Sequence, residues 1–214
     1  MRSMEAWHPP PSVPFARQVE TAPVGLFEAA TERFVVIDTE TTGLQRDAHI
    51  VELAAAWVDV RKGEIVETRT RRVNPGMPIP RDVSKIHGIY DRDVKGCPPI
   101  GRMLTSFFAF LGDGPVIAHN ARFDVARIRF EAERTGCRLP ARIPVFCSKK
   151  MAAKVFPGFE SHRLQHLIEK LSIRRDGAAH SAAGDACATG LLTLRCMAEA
   201  KADIKDICPQ EDTL

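Results

Sequence analysis

The sequence predicts a mixed α/β layer fold, a sheet covered by helices, and three observations point to it. The periodic segments run in the order three strands, helix, strand, helix, strand, helices. Strand candidates carry β-prone runs such as Phe34-Val35-Val36-Ile37, whereas Ile100, Met103, Leu104, Phe107, Phe108 and Leu111 recur at helical intervals. At 214 residues, with 44% hydrophobic and 27% charged side chains, the chain is long enough to bury one sizeable core.

Residues 1–30 read as an arm, since Pro9, Pro10, Pro11, Pro14 and Pro23 favour extended conformations. A short helical piece over 26–33 is compatible with packing on the domain, and the arm equally suits tethering a partner. The first strand is expected near 34–39, followed by a turn over 43–47. A second strand near 49–60 meets Arg61-Lys62-Gly63, a hairpin turn into a third near 64–74. Such short links make the three antiparallel neighbours. Pro75, Gly76, Pro78 and Pro80 make 74–80 a loop.

The helix over 100–111 ends at Gly112-Asp113-Gly114, and Val116-Ile117-Ala118 form a short buried strand. A helix over 121–135 stops at Gly136, a glycine C-cap, and 143–147 gives the fifth strand. Helical stretches follow near 148–155, 162–171 and 181–199. The predicted organisation is an arm over 1–30, a core domain over 31–200 and a short tail over 201–214.

Net charge is +3, from 30 basic and 27 acidic residues, so attraction to phosphates must come from local clusters. Candidates are Arg69, Arg71 and Arg72; Arg122, Arg127 and Arg129; Lys149, Lys150 and Lys154; and Arg174 with Arg175. For any one cluster a solvated face is the simpler reading. The six cysteines lack C-x-x-C spacing, which argues against a zinc site or disulfide framework and suits a reducing cytosol. No apolar run reaches the length of a membrane span, and Met1 to Pro11 lacks the apolar centre of a signal peptide. A cytoplasmic protein without membrane association is expected.

Chemistry concentrates first in Asp38-Thr39-Glu40-Thr41-Thr42-Gly43, directly behind the first apolar run. Strand side chains alternate, so Asp38 and Glu40 project from one face. Two adjacent carboxylates repel, and a hard divalent cation such as Mg²⁺ relieves the conflict. A solvated acidic turn ending at Gly43 is the alternative. The second segment, His119-Asn120-Ala121-Arg122-Phe123-Asp124, follows a buried strand, with Asn120 the expected N-cap and Asp124 in the first helical turn. Taken alone, Asp124 suits compensation of the helix dipole; its place behind a strand end also lets it approach Asp38 and Glu40. In the third, His180-Ser181-Ala182-Ala183-Gly184-Asp185-Ala186, small residues let a helix lie close to the sheet and bring up Asp185. His180, a surface residue by default, has the side chain suited to accepting a proton near neutral pH.

Together these segments, Asp38-x-Glu40, His119-Asn120-x-x-Phe123-Asp124 and His180-x-x-x-x-Asp185-Ala186, resemble the three exonuclease motifs of the DnaQ-like, DEDDh-type 3′–5′ exonucleases. The resemblance spans roughly 34–198 in the family's order, and Ile86-His87-Gly88-Ile89 looks like the family's region between the first and second motifs. It implies a ribonuclease H-like fold, a five-stranded mixed sheet flanked by helices. It further implies that Asp38, Glu40, Asp124 and Asp185 bind two Mg²⁺ or Mn²⁺ ions, with His180 as general base. Thr41, Leu44, His87, Asn120 and Phe123 match the family's substrate-contacting positions. Cys147-Ser148 departs from the acidic residue and Thr found in many relatives.

On this reading the substrate is a single-stranded DNA 3′ end, cut to nucleoside 5′-monophosphates with little base preference. An exoribonuclease acting on RNA 3′ ends is the nearest rival, because the same metal chemistry cleaves both polymers. A non-catalytic nucleic-acid or polymerase-binding module on the same scaffold is the other, though all four carboxylates and the histidine are present. The tail beyond Ala202 is short for a polymerase-binding segment, so a free-standing enzyme is favoured, with a separate DNA polymerase subunit left open as partner.

Overall fold

In the computed structural model, residues 31–140, 142–175 and 181–214 are described. The expected 1–30 arm and His180 therefore lie outside the described residues. The strands are β1 (Arg33–Thr41), β2 (Ile50–Asp59), β3 (Glu64–Arg72), β4 (Val116–Ala118), β5 (Pro144–Cys147) and β6 (Asp212–Thr213). They form one sheet in the order β3-β2-β1-β4-β5-β6. β1, β2 and β3 pair antiparallel, β1 pairs parallel with β4 and β4 with β5, and β6 returns antiparallel on β5. The helices are α1 (Arg81–His87), α2 (Asp91–Val94), α3 (Gly101–Leu111), α4 (Arg122–Thr135), α5 (Ser148–Val155), α6 (Leu164–Lys170), α7 (Ala182–Ala200) and α8 (Ile204–Ile207).

Alternation along β1 divides the core. Val35 and Ile37 enter one apolar layer with Leu104 and Phe107 of α3 and Val125 and Ile128 of α4. Phe34 and Val36 enter the other, with Ala54, Ala56 and Val58 of β2 and Ala186, Leu192 and Met197 of α7. Both neighbours of β1 are strands and both its faces are covered, so Phe34 to Ile37 are wholly buried. Close approach of α7 depends on small residues. A Cβ at Gly190 would stand 3.0 Å from a Val58 methyl and 3.4 Å from a Val36 methyl.

Three differences from the sequence expectation have physical causes. The sheet has a sixth strand: residues expected to trail beyond the core supply α8 and β6. Leu214 exchanges backbone hydrogen bonds with Ile143 and is 3% exposed. Arg129 binds Asp212, and Arg122 and Lys150 both bind Glu211. Two residues of strand are too few for any periodicity; the pairing comes from these distant cations and from the β5 edge. The second difference is α1 and α2, four to seven residues each, too short to show a helical apolar period. Third, Asn120 does not cap α4. It takes the left-handed conformation (φ 67°), with its carbonyl accepting from Phe123 N–H, and turns the chain from β4 into the helix.

The basic clusters are largely absorbed by the protein itself. Arg69 lies over the Phe110 ring and pairs with Glu67, Arg72 pairs with Glu52, and Lys154 donates to the Asp206 carbonyl.

Candidate active site

Parallel pairing of β1 and β4 sends the ends of both strands to one edge of the sheet, where sites form in open α/β folds. Asp38 and Glu40 emerge there from the C-terminal end of β1. Asp185 arrives from the first turn of α7, a helix whose N-cap Ser181 accepts from Gly184 N–H at 3.2 Å. Oxygen atoms of Asp38, Glu40 and Asp185 all lie within 4.8 Å of one another. Three carboxylates from two distant segments thus converge, as the motifs lead one to expect.

Asp124 stands beside this trio, not within it. It sits in the first turn of α4, on the opposite layer of the sheet, 3% exposed, and accepts from the Thr39 hydroxyl at 2.8 Å. Its charge still acts on the others. Burial and then the nearby charges of Asp124 and Asp185 hold Asp38 well above the ordinary carboxylate range. Glu40 is raised to about 8 by burial, with Asp185, Glu52 and Asp124 adding repulsion. Burial lifts Asp124 to about 7, against the lowering effect of the Thr39 hydrogen bond.

This donor set fits a hard divalent cation. Among the described residues the three gathered donors are carboxylate oxygens, and a cation offsets both the burial and the mutual repulsion that lift these groups. Arg175, in the segment leading toward α7, supplies local positive charge by donating to Asp185 and, at 2.8 Å, to Gln165.

The expected substrate-contacting residues are placed unevenly. Leu44 is 87% exposed, at the tip of the loop after β1. That loop is tied back at its base, because Thr42 and His49 exchange hydrogen bonds. It is also anchored on α4: the buried Glu131 accepts from His49 Nδ1 and Ile50 N–H, and Arg127 donates to the Gln45 carbonyl. The Arg127 guanidinium lies 5.7 Å from the centre of the half-buried Phe123 ring. Asn120 is exposed. Thr41 is 6% exposed and donates its hydroxyl to the Gly43 carbonyl, so it shapes the loop. His87 is 8% exposed in α1, where Nδ1 accepts from Ile89 N–H.

His119 is a structural member of its motif. Its ring is held between Ser148 Oγ at 2.9 Å and the His162 carbonyl at 3.0 Å, and burial lowers its pKa to about 4. Glu52 and Glu131 were not anticipated as parts of this region, and Arg175, read as half of a basic pair suited to phosphate, pairs instead with Asp185. Glu52 did leave a signal, as the only charge within the apolar run Ile50–Val58.

A mixed sheet flanked by helices, with carboxylates gathered at the end of a central strand, defines a ribonuclease H-like α/β protein with a candidate divalent-metal site. Comparison with known proteins makes the class specific. The chain belongs to the exonuclease (RNase T) family, which it matches over residues 35–193. It is 34% identical over 76% of its length to the 3′-5′ exonuclease DinG of Bacillus subtilis, covering 17% of that protein. With a DNA polymerase III PolC-type of Halalkalibacterium halodurans it shares 36% identity over 78% of its length, covering 11% of that relative. It thus spans only a small part of these two. The DNA polymerase III subunit epsilon of Aquifex aeolicus is 33% identical and 81% covered. Among solved structures, exonuclease X in complex with 5′ overhanging duplex DNA superposes with a TM-score of 0.66 at 28% identity, over 81% of this chain and 98% of that one. The nuclease domain of the DEDDh member 3′hExo gives 0.71 at 14% identity, over 87% and 100%, a likeness of fold. Among the described residues no helix is long and apolar enough to cross a membrane.

Proposed function

We propose that the chain is a divalent-metal-dependent 3′–5′ exonuclease that removes nucleotides from single-stranded DNA and releases nucleoside 5′-monophosphates. The convergence of Asp38, Glu40 and Asp185 within 4.8 Å, with Asp124 alongside, carries this reading. Those four residues would hold two Mg²⁺ or Mn²⁺ ions, which when bound activate water and neutralise the departing 3′-oxygen.

The chain's own side chains do the rest. His180, five residues before Asp185 and outside the described residues, is assigned as general base. Leu44 offers an exposed apolar face for the terminal base, and the Phe123 ring under Arg127 a second one. Asn120 is assigned to the terminal nucleotide. Thr41 and His87 are assigned an indirect part, because their polar atoms hold the adjoining loop segments. DNA is favoured over RNA by the names of the relatives: polymerase III proteins and an exonuclease solved with DNA. The same relatives support association with a separate DNA polymerase subunit.

The test is degradation of 3′- and 5′-labelled single-stranded DNA, with a matched RNA, in Mg²⁺ and in EDTA. Mononucleotide release from the 3′ end, abolished by EDTA and reduced at least about 100-fold in His180→Ala, is expected. Wild-type turnover in folded His180→Ala removes the general-base assignment. Degradation of RNA alone replaces the DNA reading.

A further inference from the structure

We propose that Glu52 is a positioning residue that sets Asp185 against Asp38 and Glu40 by holding the first N–H of α7 to the strand facing Glu40. The inference rests on the nuclease reading above and deepens it. Glu52 stands directly opposite Glu40 in the β1–β2 register and is 7% exposed. Its charge is one of those that raise Asp38 and Glu40, so a further acid here works against a site already crowded with acids. Such a residue needs a use that outweighs the repulsion.

Its two oxygens show one. Oε2 accepts from Ala182 N–H at 3.1 Å, and Oε1 accepts from Arg72 Nε at 3.3 Å. Ala182 opens α7, and Asp185 follows three residues later in the same turn. The first N–H groups of a helix have no partner inside it. Ser181 Oγ takes that of Gly184, and Glu52 takes that of Ala182. A carboxylate also suits the positive end of the helix dipole.

The packing of α7 makes this bond informative. Ala54, Ala56, Ala186 and Gly190 bring the helix close to the sheet through small side chains, which resist sliding weakly. The Glu52–Ala182 bond instead fixes the helix start along β2, at the level of Glu40. Arg72 is the register partner of Glu52 on β3, so Glu40, Glu52 and Arg72 form one row across three strands. The guanidinium balances the Glu52 charge and holds the carboxylate toward α7. With both oxygens engaged in this way, Glu52 orients a metal ligand and is not assigned as a ligand itself.

Glu52→Ala, Glu52→Asp and Glu52→Gln separate the bond from the charge. Asp keeps the charge but withdraws it from Ala182, whereas Gln keeps an acceptor in place without the charge. Mn²⁺ affinity is measured by calorimetry, amide exchange over 182–185 is followed in metal-free protein, and kcat and KM are taken on a DNA oligonucleotide. Glu52→Ala and Glu52→Asp should each weaken Mn²⁺ binding about 10- to 100-fold, speed exchange in the first turn of α7 and lower kcat more than they raise KM. Glu52→Gln should recover most of the affinity and protection. If Glu52→Ala does not fold, the Asp and Gln pair carries the comparison. Wild-type Mn²⁺ affinity in Glu52→Asp, or equal losses in Gln and Asp, overturns the proposal alone. A wild-type protein that binds no Mn²⁺ overturns the nuclease reading with it.

Discussion

Replacing Glu40 with glutamine should stabilise the metal-free protein while destroying its activity, because the site is assembled against electrostatic resistance. The Glu40 carboxyl is raised from 4.5 to about 8 by burial and by its acidic neighbours. Below pH about 4.5 it is protonated in folded and unfolded chains alike, and it contributes no difference. Between the two values the unfolded chain ionises while the folded one resists, so metal-free stability falls as pH rises; above about 8 the loss is complete. At about 1.4 kcal/mol per pH unit the gap corresponds to roughly 5 kcal/mol. Solvent reaching this half-buried group screens part of it, leaving about 2–4 kcal/mol. Urea unfolding in EDTA should therefore show Glu40→Gln about 2–4 kcal/mol more stable than wild type at pH 8.5, and nearly equal to it at pH 4.5. Adding Mg²⁺ at pH 8.5 should stabilise wild type and barely affect the variant. Equal stability of the two proteins at pH 8.5 without metal would refute the reasoning, since the carboxylates would then not be in conflict.

Two further outcomes concern the scaffold. Phe34→Ala removes a wholly buried ring from the α7 side of β1 and should cost about 3–5 kcal/mol by urea unfolding. Gly190→Val places a branched side chain where even a Cβ stands 3.0 Å from Val58; it should cost about 1–3 kcal/mol and weaken Mn²⁺ binding, as α7 is lifted with Asp185. A Gly190→Val protein with unchanged Mn²⁺ affinity would show that helix height does not control the site.

The first-strand pair was legible from the alternation of a strand alone, which puts Asp38 and Glu40 on one side whatever surrounds them. Asp185 was legible from small residues around a lone acid at a helix start. Asp124 was placed correctly in its helical turn, but the Thr39 hydroxyl that holds it comes from the first strand, and a sequence does not state that pairing. Asn120 failed as a cap for a similar reason. Its type suits both an N-cap and a left-handed turn, and the angle between β4 and α4 selects the second.

By itself the sequence determined the order of the main elements, the shared face of Asp38 and Glu40 on the first strand and the identity of the acids. Those follow from local periodicity and residue chemistry, which act over a few residues. The tertiary structure decided the sixth strand, the anchoring of the Leu44 loop by Glu131 and Arg127, and the row Glu40–Glu52–Arg72. Each of these joins separate segments of the chain through a few hydrogen bonds or ion pairs. Such contacts leave no period to read, and they form only once the sheet has brought the partners together.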